Sequence, residues 1–468
     1  MYTNSSKKEV GLYFGADKMK IDREKKSKSR RKQIYMVINA KNLLIAAEAC
    51  ALTVALTAGC GVTQKKENYK KKNEEEKITL TIALPVPALE EHVTEINSLY
   101  MASHPEIGSI KWVCTDANTY RNYLRVAMAE NNLPDIFSAG YGDCLEEWKS
   151  QLSVINDSND QTTSLIWRNA GKIGDDRYAI PFLIYGQGVL YNRELLQENG
   201  FDSFPDTYDK WDSMCKQLKT NGVKPVINHY KDILLTGNAD FCMLPLFIGT
   251  ERSDAIEVRE AIWEERKLRW PEQDFEADVE ALANYIDGSI KNGNKDSLAT
   301  GLSTAENYFH IGQYSMLNFM GSWDAAVLKS GYPEMSKKIS IAPVPFFNDS
   351  SENHLAIDAV PLSVTKEGGN AAESLALWLS TSEEAEKYLE DAGFLLAKSM
   401  DDSADTRLSQ LALEVKNEIK SGNTYWDPDN WLQSEIKENG SEIWSEYLAG
   451  TISRAQVISR FMDLYNLE

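Results

Sequence analysis

Strand-like and helix-like patterns alternate along residues 78–140, and this alternation constrains the fold more than any other feature of the chain. Residues 78–84 read ITLTIAL, a run of β-branched and apolar residues that is typical of a strand. Helical spacing follows, then a second strand over 110–114, a helix that begins after Asp116, and a third short strand within 133–140. This order predicts an α/β fold with a parallel sheet, in which ligands bind beyond the carboxyl ends of the strands.

The N-terminal part of the chain has the layout of an export signal. A basic stretch, KKSKSRRK at 25–32, precedes an apolar run at 43–58, and small residues then lead into Cys60. This order predicts a signal peptide with an N-terminal extension over residues 1–59. The cysteine at its end resembles a bacterial lipobox. That resemblance implies that Cys60 is lipidated and anchors the protein to the cell membrane on its extracellular face.

A single membrane-spanning anchor is the alternative interpretation of the apolar run. The run is shorter than the roughly 20 apolar residues that a helix needs to cross a bilayer, which favours a cleaved signal. Both Met1 and Met36 are possible starts, and the sequence does not choose between them.

Size and charge limit the kinds of partner. Residues 60–77 are mostly Gln, Asn, Lys and Glu, which predicts a solvated, lipid-attached tether. The rest of the chain is long enough for two large domains of roughly 100–200 residues each. The whole chain carries 70 Asp and Glu against 50 Lys and Arg, and its first 59 residues are basic, so the remainder is strongly acidic. An acidic surface repels phosphates, so we expect no nucleic-acid partner.

The cysteines and histidines do not form a metal-binding pattern. Beyond the export segment the cysteines are Cys114, Cys144, Cys215 and Cys242, and none of them forms a CxxC pair. The five histidines are scattered and show no HExxH motif. We therefore expect no metal and no cofactor. Two disulfides and buried free thiols both remain open for the cysteines.

A specific pattern begins near residue 176 and continues to the end of the chain. Residues 176–225 contain IPF, GVLYN, the turn NGF and the helix start FPDTYDKW, in that order. Matching segments follow at 309–323, 341–347, 359–389 and 448–461. In order and spacing these segments resemble the family 1 extracellular solute-binding proteins, a maltose-binding-protein-like family of capture subunits of ATP-driven sugar importers.

The resemblance implies a two-lobed, periplasmic-binding-protein-like α/β fold with a ligand cleft between lobes that crossover strands join. The expected lobes are residues 78–182 with 343–397 for lobe one, and 183–342 with 398–468 for lobe two. Such a protein is a monomer that captures a sugar or an oligosaccharide by cleft closure. It then delivers the ligand to the membrane subunits of an ABC transporter and catalyses no reaction.

A sugar presents apolar C–H faces and a rim of hydroxyls, so its site needs flat aromatic rings and a few oriented polar groups. Trp323 follows an apolar strand at the point where Gly-Ser opens a helix, and Tyr185 follows the IPF segment. Both positions match family positions that contact sugar. Asp358 precedes the segment that returns into lobe one and is a further candidate.

The other expected ligand contacts lie in loops. They are Tyr141 and Asp143 in a Gly-rich loop, Glu90 beyond the first strand, Trp426 and Trp431 in a late aromatic loop, and Phe394 after a glycine. Glu90 also fits the acidic residue that a helix N-terminus favours. Most aromatic residues of a globular protein are core residues, and a core position is the alternative interpretation for each aromatic candidate.

An extracellular glycoside hydrolase is the main alternative function, since it would use two carboxylates on either side of a glycosidic bond. No pair of acidic residues stands out after the predicted strands, and no G-x-S-x-G motif occurs. A sensory or scaffolding lipoprotein would use the same closing cleft, so the sequence leaves it open. A peptide or a polyamine is the alternative ligand.

Overall fold

Strands and helices follow one another closely in the computed structural model, which describes residues 77–156, 171–231, 272–400, 405–426 and 434–464. These residues belong to one compact unit, Glu75–Glu468. The strands are β1 (Ile78–Leu84), β2 (Ile107–Cys114), β3 (Ile136–Phe137), β4 (Lys172–Ile173), β5 (Asp176–Arg177), β6 (Ile180–Asn192), β7 (Val226–Ile227), β8 (Met316–Gly321), β9 (Ile339–Ala342), β10 (Leu355–Val364), β11 (Leu395–Leu396) and β12 (Thr424–Trp426). The helices are α1 (Val93–Ser103), α2 (Ala117–Ala129), α3 (Gly142–Trp148), α4 (Arg193–Glu198), α5 (Tyr208–Thr220), α6 (Glu272–Asn292), α7 (Leu302–His310), α8 (Asp324–Gly331), α9 (Pro333–Ser336), α10 (Gly369–Thr381), α11 (Glu383–Ala392), α12 (Gln410–Ser421), α13 (Ser434–Leu448) and α14 (Arg454–Leu464).

The predicted alternation of strands and helices at the start of the described chain is confirmed. β1 lies between β2 and β3 and is parallel to both. Asp116 caps α2, because its carboxylate accepts hydrogen bonds from the backbone N–H (3.1 Å) and the hydroxyl (2.6 Å) of Thr119. The third strand is shorter than predicted. After Phe137 the backbone N–H of Ser138 donates to the hydroxyl of Tyr120 (2.8 Å) and not to a neighbouring strand.

The large sheet has the strand order β2-β1-β3-β10-β6-β8-β7, with β9, β11 and β12 pairing beside this path. β6 and β10 are its long central strands and run antiparallel, with Ile180 opposite Leu362 and Gln187 opposite Ala356. β3 pairs with the carboxyl end of β10, whereas β8 and β9 pair with the second half of β6. The two long strands therefore connect the part of the sheet around β1 with the part around β8.

Separate hydrophobic cores accompany the two parts of the sheet. The first packs β1, β2 and α10 through residues that include Ile82 and Leu375. The second packs α5, α6, α13 and α14 around Trp211 and Trp444. Each fully buried side chain of this kind contributes about 1.5–3 kcal/mol, so each core stabilises its own part of the fold. A further core packs Leu190 of β6, Leu317 of β8 and Ile357 of β10, so strands that the two parts of the sheet share also have buried packing of their own.

The structure shows the thiol state of two cysteines. Cys114 and Cys215 are free thiols, which excludes two disulfides among the four cysteines beyond the export segment. Burial raises the pKa of the Cys114 thiol to about 12, and it raises the pKa of Cys215 as well. Both thiols stay protonated at neutral pH and act as small apolar groups. Cys242 lies outside the described residues.

At Gly188, β6 lies so close to β9 that no larger side chain fits. A Cβ at this position would overlap the backbone carbonyl of Ala342 in β9 and crowd the side chain of Leu355. We expect Gly188→Ala to lower the free energy of unfolding by about 1–3 kcal/mol in urea denaturation, because a paired strand cannot move away cheaply.

Gly331→Ala at the end of α8 is the matched control for this substitution. A Cβ there meets no atom within 4 Å, and alanine is favoured over glycine in a helix, so stability should be unchanged or slightly higher. Equal losses in the two variants would contradict the packing argument.

Candidate ligand-binding site

Three of the predicted ligand contacts come together at the middle of the long strand pair. Tyr185 of β6 lies directly opposite Asp358 of β10, and its hydroxyl donates to Oδ2 of Asp358 at 3.2 Å. The rings of Trp323 and Tyr185 meet edge to face, with centroids 5.2 Å apart and planes at 89°. Both rings are half-buried. We call Tyr185, Trp323 and Asp358 the aromatic corner.

The end of β8 fixes the position of Trp323. A Cβ at Gly321 would overlap the indole ring, so only glycine allows the ring to fold back over the end of the strand. Ser322 then bonds to β6: the N–H of Gly186 donates to Oγ of Ser322 (3.0 Å), and the N–H of Ser322 donates to the carbonyl of Gly186 (2.8 Å). These bonds hold Trp323 beside Tyr185.

A buried pair begins the helix that follows Trp323. Nε2 of His310 donates to Oδ2 of Asp324 at 2.7 Å, and the two side chains are 3% and 0% exposed. Asp324 is the first residue of α8, where the helix dipole favours a carboxylate. The pair ties α7 to the start of α8. Sequence reasoning missed it because the two residues lie on different helices and form no local motif.

Asp358 is only 2% exposed, and burial of a carboxylate costs free energy unless its oxygens accept hydrogen bonds. Its Oδ1 accepts from the backbone N–H of Ala359 at 2.7 Å, while its Oδ2 accepts from Tyr185. The carboxylate is therefore held in one orientation beside the Tyr185 ring, which in turn contacts Trp323. C–H groups of a sugar pack on such rings, and its hydroxyls donate to such an acceptor.

Two further predicted contacts lie close to β1 and β11. Glu90 is exposed on a short 3-10 turn, Pro87–Glu91, that follows β1. Phe394 is 6% exposed and directly precedes β11, which pairs with β6. Both residues thus lie on segments next to the strands that carry the site.

The remaining predicted residues are placed differently. Tyr141 is fully buried and belongs to a hydrophobic core. Asp143 lies in α3, and Trp426 ends β12, which pairs with β10. Trp431 and Cys60 lie outside the described residues. The functional roles expected for Tyr141, Asp143, Trp426, Trp431 and Cys60 stay predictions.

The groups at the aromatic corner are suited to binding. Its carboxylate already accepts two hydrogen bonds, and its rings offer apolar faces and a hydroxyl. Throughout the described ranges, no group of three or more His, Cys, Asp and Glu side chains could hold a metal ion.

The fold and this site define a class of protein that the sequence comparison identifies. The model of the bacterial extracellular solute-binding proteins matches residues 100–410, which is more than half of the chain, and the chain belongs to this family. The predicted family and its solute-binding role are thereby confirmed. Membership also indicates a location outside the cytoplasm. Within the part of the chain that is described, no helix is long and apolar enough to cross a membrane.

Individual relatives match over shorter stretches or at low identity. The chain is 29% identical over 108 residues to the melibiose/raffinose/stachyose-binding protein MelE of Bacillus subtilis (strain 168). That alignment spans 22% of this chain and 24% of MelE, so the chain matches about a quarter of that relative's length.

Solved structures resemble the chain over most of its length. Maltose-bound MalE3 of T. maritima has a TM-score of 0.65 at 16% identity, covering 83% of this chain and 99% of that one. A sugar transporter of Bacillus licheniformis in complex with stachyose has a TM-score of 0.61 at 17% identity, covering 84% and 100%. At these identities the likeness shows the fold alone, and it confirms the predicted two-lobed α/β class.

Asp324→Asn tests whether the buried pair stabilises the start of α8. The amide keeps the shape of the side chain but removes the charge that His310 donates to. We expect the free energy of unfolding to fall by about 1.5–3 kcal/mol in chemical denaturation, the typical contribution of a hydrogen bond to a charged group.

The matched control for this variant is an acid-to-amide change at the surface. Glu334 pairs with Lys337 at 2.8 Å, but the two side chains are 82% and 69% exposed. Water already solvates both, so Glu334→Gln should leave stability unchanged within error. If Asp324→Asn were as mild as this control, the buried pair would not stabilise α8.

Proposed function

We propose that the protein is the extracellular substrate-binding component of an ABC importer and captures a sugar or an oligosaccharide. Family membership supports the class, and the aromatic corner is the observation that carries the sugar assignment. The rings of Tyr185 and Trp323 meet at 89° beside the buried carboxylate of Asp358. An apolar ring face next to an oriented acceptor matches the C–H faces and hydroxyl rim of a pyranose.

The relatives support the same ligand class. MelE is named for binding melibiose, raffinose and stachyose, and the two solved structures hold maltose and stachyose. The shared chemistry of these ligands is a short oligosaccharide without charged groups. A neutral ligand is also compatible with an acidic protein, because it needs no electrostatic attraction.

Capture proceeds by closure of the two lobes. The proposed lobes are residues 78–182 with 343–397, and residues 183–342 with 398–468. With these bounds Asp358 belongs to lobe one, and Tyr185 and Trp323 belong to lobe two. Strand pairing keeps these three side chains together, so a sugar favours closure only if it also contacts groups of lobe one that lie away from the strand pair. Only such a difference in affinity between the closed and the open form can shift the equilibrium toward closure.

Attachment to the membrane follows from lipid on Cys60 in this proposal, with the protein acting as a monomer that docks on separate membrane subunits. One acyl chain gives only marginal retention, so stable anchoring needs two. We expect Cys60→Ser to move the protein from the membrane fraction of a bacterial host to the soluble or secreted fraction. A variant that stays with the membrane would contradict lipid anchoring at this residue.

The experiment that tests the function is a thermal-unfolding screen of the unit that begins at Glu75. The panel holds mono- and oligosaccharides, amino acids, peptides and polyamines. A ligand at 100 times its dissociation constant adds about 2.7 kcal/mol of stability, which a melting curve resolves. Stabilisation by one sugar class, with the sugar recovered unchanged, supports capture.

Other outcomes of the screen point to other functions. Stabilisation by a peptide or a polyamine alone would overturn the sugar assignment and keep the binding class. Cleaved sugar in the recovered sample would indicate a glycoside hydrolase. A melting temperature that no compound of the panel raises would favour a sensory or scaffolding role.

Trp323→Ala is the variant that tests the aromatic corner. The indole is half-buried and packs at the edge of a hydrophobic core, and the loss of its open face should weaken sugar binding by about tenfold or more, or about 1.4 kcal/mol. The melting temperature without ligand should fall no further than in the matched control Trp378→Ala, which also removes a half-buried indole that packs on a core. Titration calorimetry with the best sugar of the screen measures the affinity.

Trp378→Ala is the matched control, since Trp378 is also half-buried but packs against Tyr100, with ring centroids 5.3 Å apart. Its removal should leave sugar affinity unchanged. Trp323→Phe, which keeps a ring, should lose less affinity than Trp323→Ala. A loss of ligand-free stability well beyond that of Trp378→Ala, with no loss of sugar affinity, would show instead that Trp323 only packs.

A further inference from the structure

One residue of β8 has a backbone conformation that its own side chain disfavours. Phe319 has a φ of 50°, which lies in the left-handed region that glycine adopts freely and a bulky residue rarely adopts. Among the residues that the structure describes, Asn131 is the only other non-glycine residue with a positive φ. A conformation of this kind persists only where the surrounding structure holds it.

The unusual φ belongs to a β-bulge. Val189 of β6 lies opposite Asn318. The preceding residue of β6, Gly188, lies opposite Met320, so Phe319 is an extra residue in β8. Because side chains alternate along a strand, one extra residue exchanges the two faces of the strand beyond it. The bulge therefore decides which face the residues after Phe319 occupy.

The register beyond the bulge builds the aromatic corner. Ser322 lies against Gly186 and exchanges two hydrogen bonds with it. The next residue, Trp323, meets the ring of Tyr185 edge to face. Without the extra residue, β8 would pair one position out of step and Trp323 would not reach this contact. The geometry of the sugar site thus depends on the bulge at Phe319.

His229 bonds to the backbone of the bulge from the side of the neighbouring strand. It follows β7, which runs parallel to β8, and it is only 5% exposed. Its Nε2 lies 3.0 Å from the carbonyl oxygen of Asn318 and 3.2 Å from that of Phe319. A carbonyl oxygen only accepts, so Nε2 carries a proton and donates it to both. One N–H group therefore bridges the two peptide units that flank Phe319.

Other buried contacts hold the side chains of the bulge. Oδ1 of Asn318 accepts from the hydroxyl of Tyr285 at 2.7 Å, and its amide nitrogen donates to Oδ1 of Asn228 at 3.0 Å. The ring of Phe319 meets Tyr285 edge-on, with centroids 5.8 Å apart at 87°. His229, in contrast, bonds to the backbone that carries the unfavourable φ.

We infer that His229 is a positioning residue for the sugar site. Its bridge between two carbonyls holds the bulge at Phe319, and the bulge sets Trp323 against Tyr185. His229 acts through the strand and not by contact with the ligand. This inference rests on the proposed function, since it concerns the ring to which sugar binding is assigned.

Pairing of buried polar groups in the second core is the competing explanation of His229, and two amide variants separate the explanations. The side-chain nitrogen of glutamine can take the place of Nε2, whereas that of asparagine is one carbon shorter and corresponds to Nδ1. His229→Asn therefore loses the bridge, and His229→Gln keeps a donor for it. Both side chains are polar and uncharged, so the two variants form a matched pair.

The first measurement uses ligand-free protein in which the 11 tryptophans are replaced by fluorotryptophan. Spectra of Trp323→Phe and Trp378→Phe identify the fluorine NMR resonances of these two rings. We expect His229→Asn to displace or broaden the Trp323 resonance and to leave in place that of Trp378, which packs on the first core. His229→Gln should bring the Trp323 resonance most of the way back to its wild-type position.

Phe319→Gly tests whether the bridge supports the backbone of the bulge. Glycine adopts a φ of 50° without steric cost, so the bulge should then persist without the bridge. His229→Asn should therefore move the Trp323 resonance less in the Phe319→Gly background than it does alone. A displacement of the same size in both backgrounds would contradict this role of His229.

The second measurement is titration calorimetry with the best sugar of the thermal-unfolding screen. His229→Asn should weaken binding by about threefold or more, and His229→Gln should weaken it less. In the Trp323→Ala background, His229→Asn should change the affinity by less than about twofold, because the ring through which His229 acts is already absent.

Three results would overturn the positioning role. A Trp323 resonance that stays in place in His229→Asn would show that the aromatic corner does not depend on the bridge. Displacement of the Trp378 resonance together with that of Trp323 would show a general loss of packing, and so would support the competing explanation. An equal loss of affinity with and without the Trp323 ring would show that His229 acts by another route.

Failure of the proposed function is a distinct outcome. If wild type binds no sugar of the panel, the sugar assignment is overturned. The spectra of the ligand-free protein would still decide whether His229 sets the position of Trp323.

Discussion

The antiparallel pairing of β6 with β10 is the constraint on which the rest of the structure depends. All ten residues of β10 are buried, and in β6 only Tyr185 and Tyr191 are partly exposed. β3 joins the pair at one end, and β8 and β9 join it at the other. One part of the sheet attaches to β10 and the other attaches to β6. The midpoint of the β6–β10 pair therefore lies between the two parts.

The polar residue at this midpoint is tolerated because of the pairing itself. Asp358 sits in a completely buried strand, where an unpaired carboxylate would be costly. The register places Tyr185 directly opposite, so that its hydroxyl donates to the carboxylate, and the next backbone N–H donates to the other oxygen. Tyr185 thus donates the hydrogen bond that stabilises the Asp358 carboxylate, and its ring is also partly exposed. Structural support and ligand recognition are therefore properties of one contact.

Local patterns were enough to predict the first strands, the cap at Asp116 and the position of Trp323 after a glycine and a serine. Each of these depends on residues close together in the chain. The pairs His310–Asp324 and His92–Tyr388 could not be predicted in this way, because the partners lie 14 and 296 residues apart and meet only through the fold. Burial of Tyr141 could not be predicted from its Gly-rich loop either, because the core that buries it is built from strands distant in sequence.

The register of β6 and β10 also bears on how the chain folds. The contact at the centre of the site joins residues 173 positions apart. Closing a loop of this length costs chain entropy before the contact between its ends can stabilise the fold. Folds dominated by such long-range pairings therefore form slowly. The chain up to β9 contains β1, β2 and β3 and also β6, β8 and β9, but without β10 it lacks the strand that joins β3 to β6. The recognition surface thus needs β10, and a chain that has been synthesised only as far as β9 does not yet contain it.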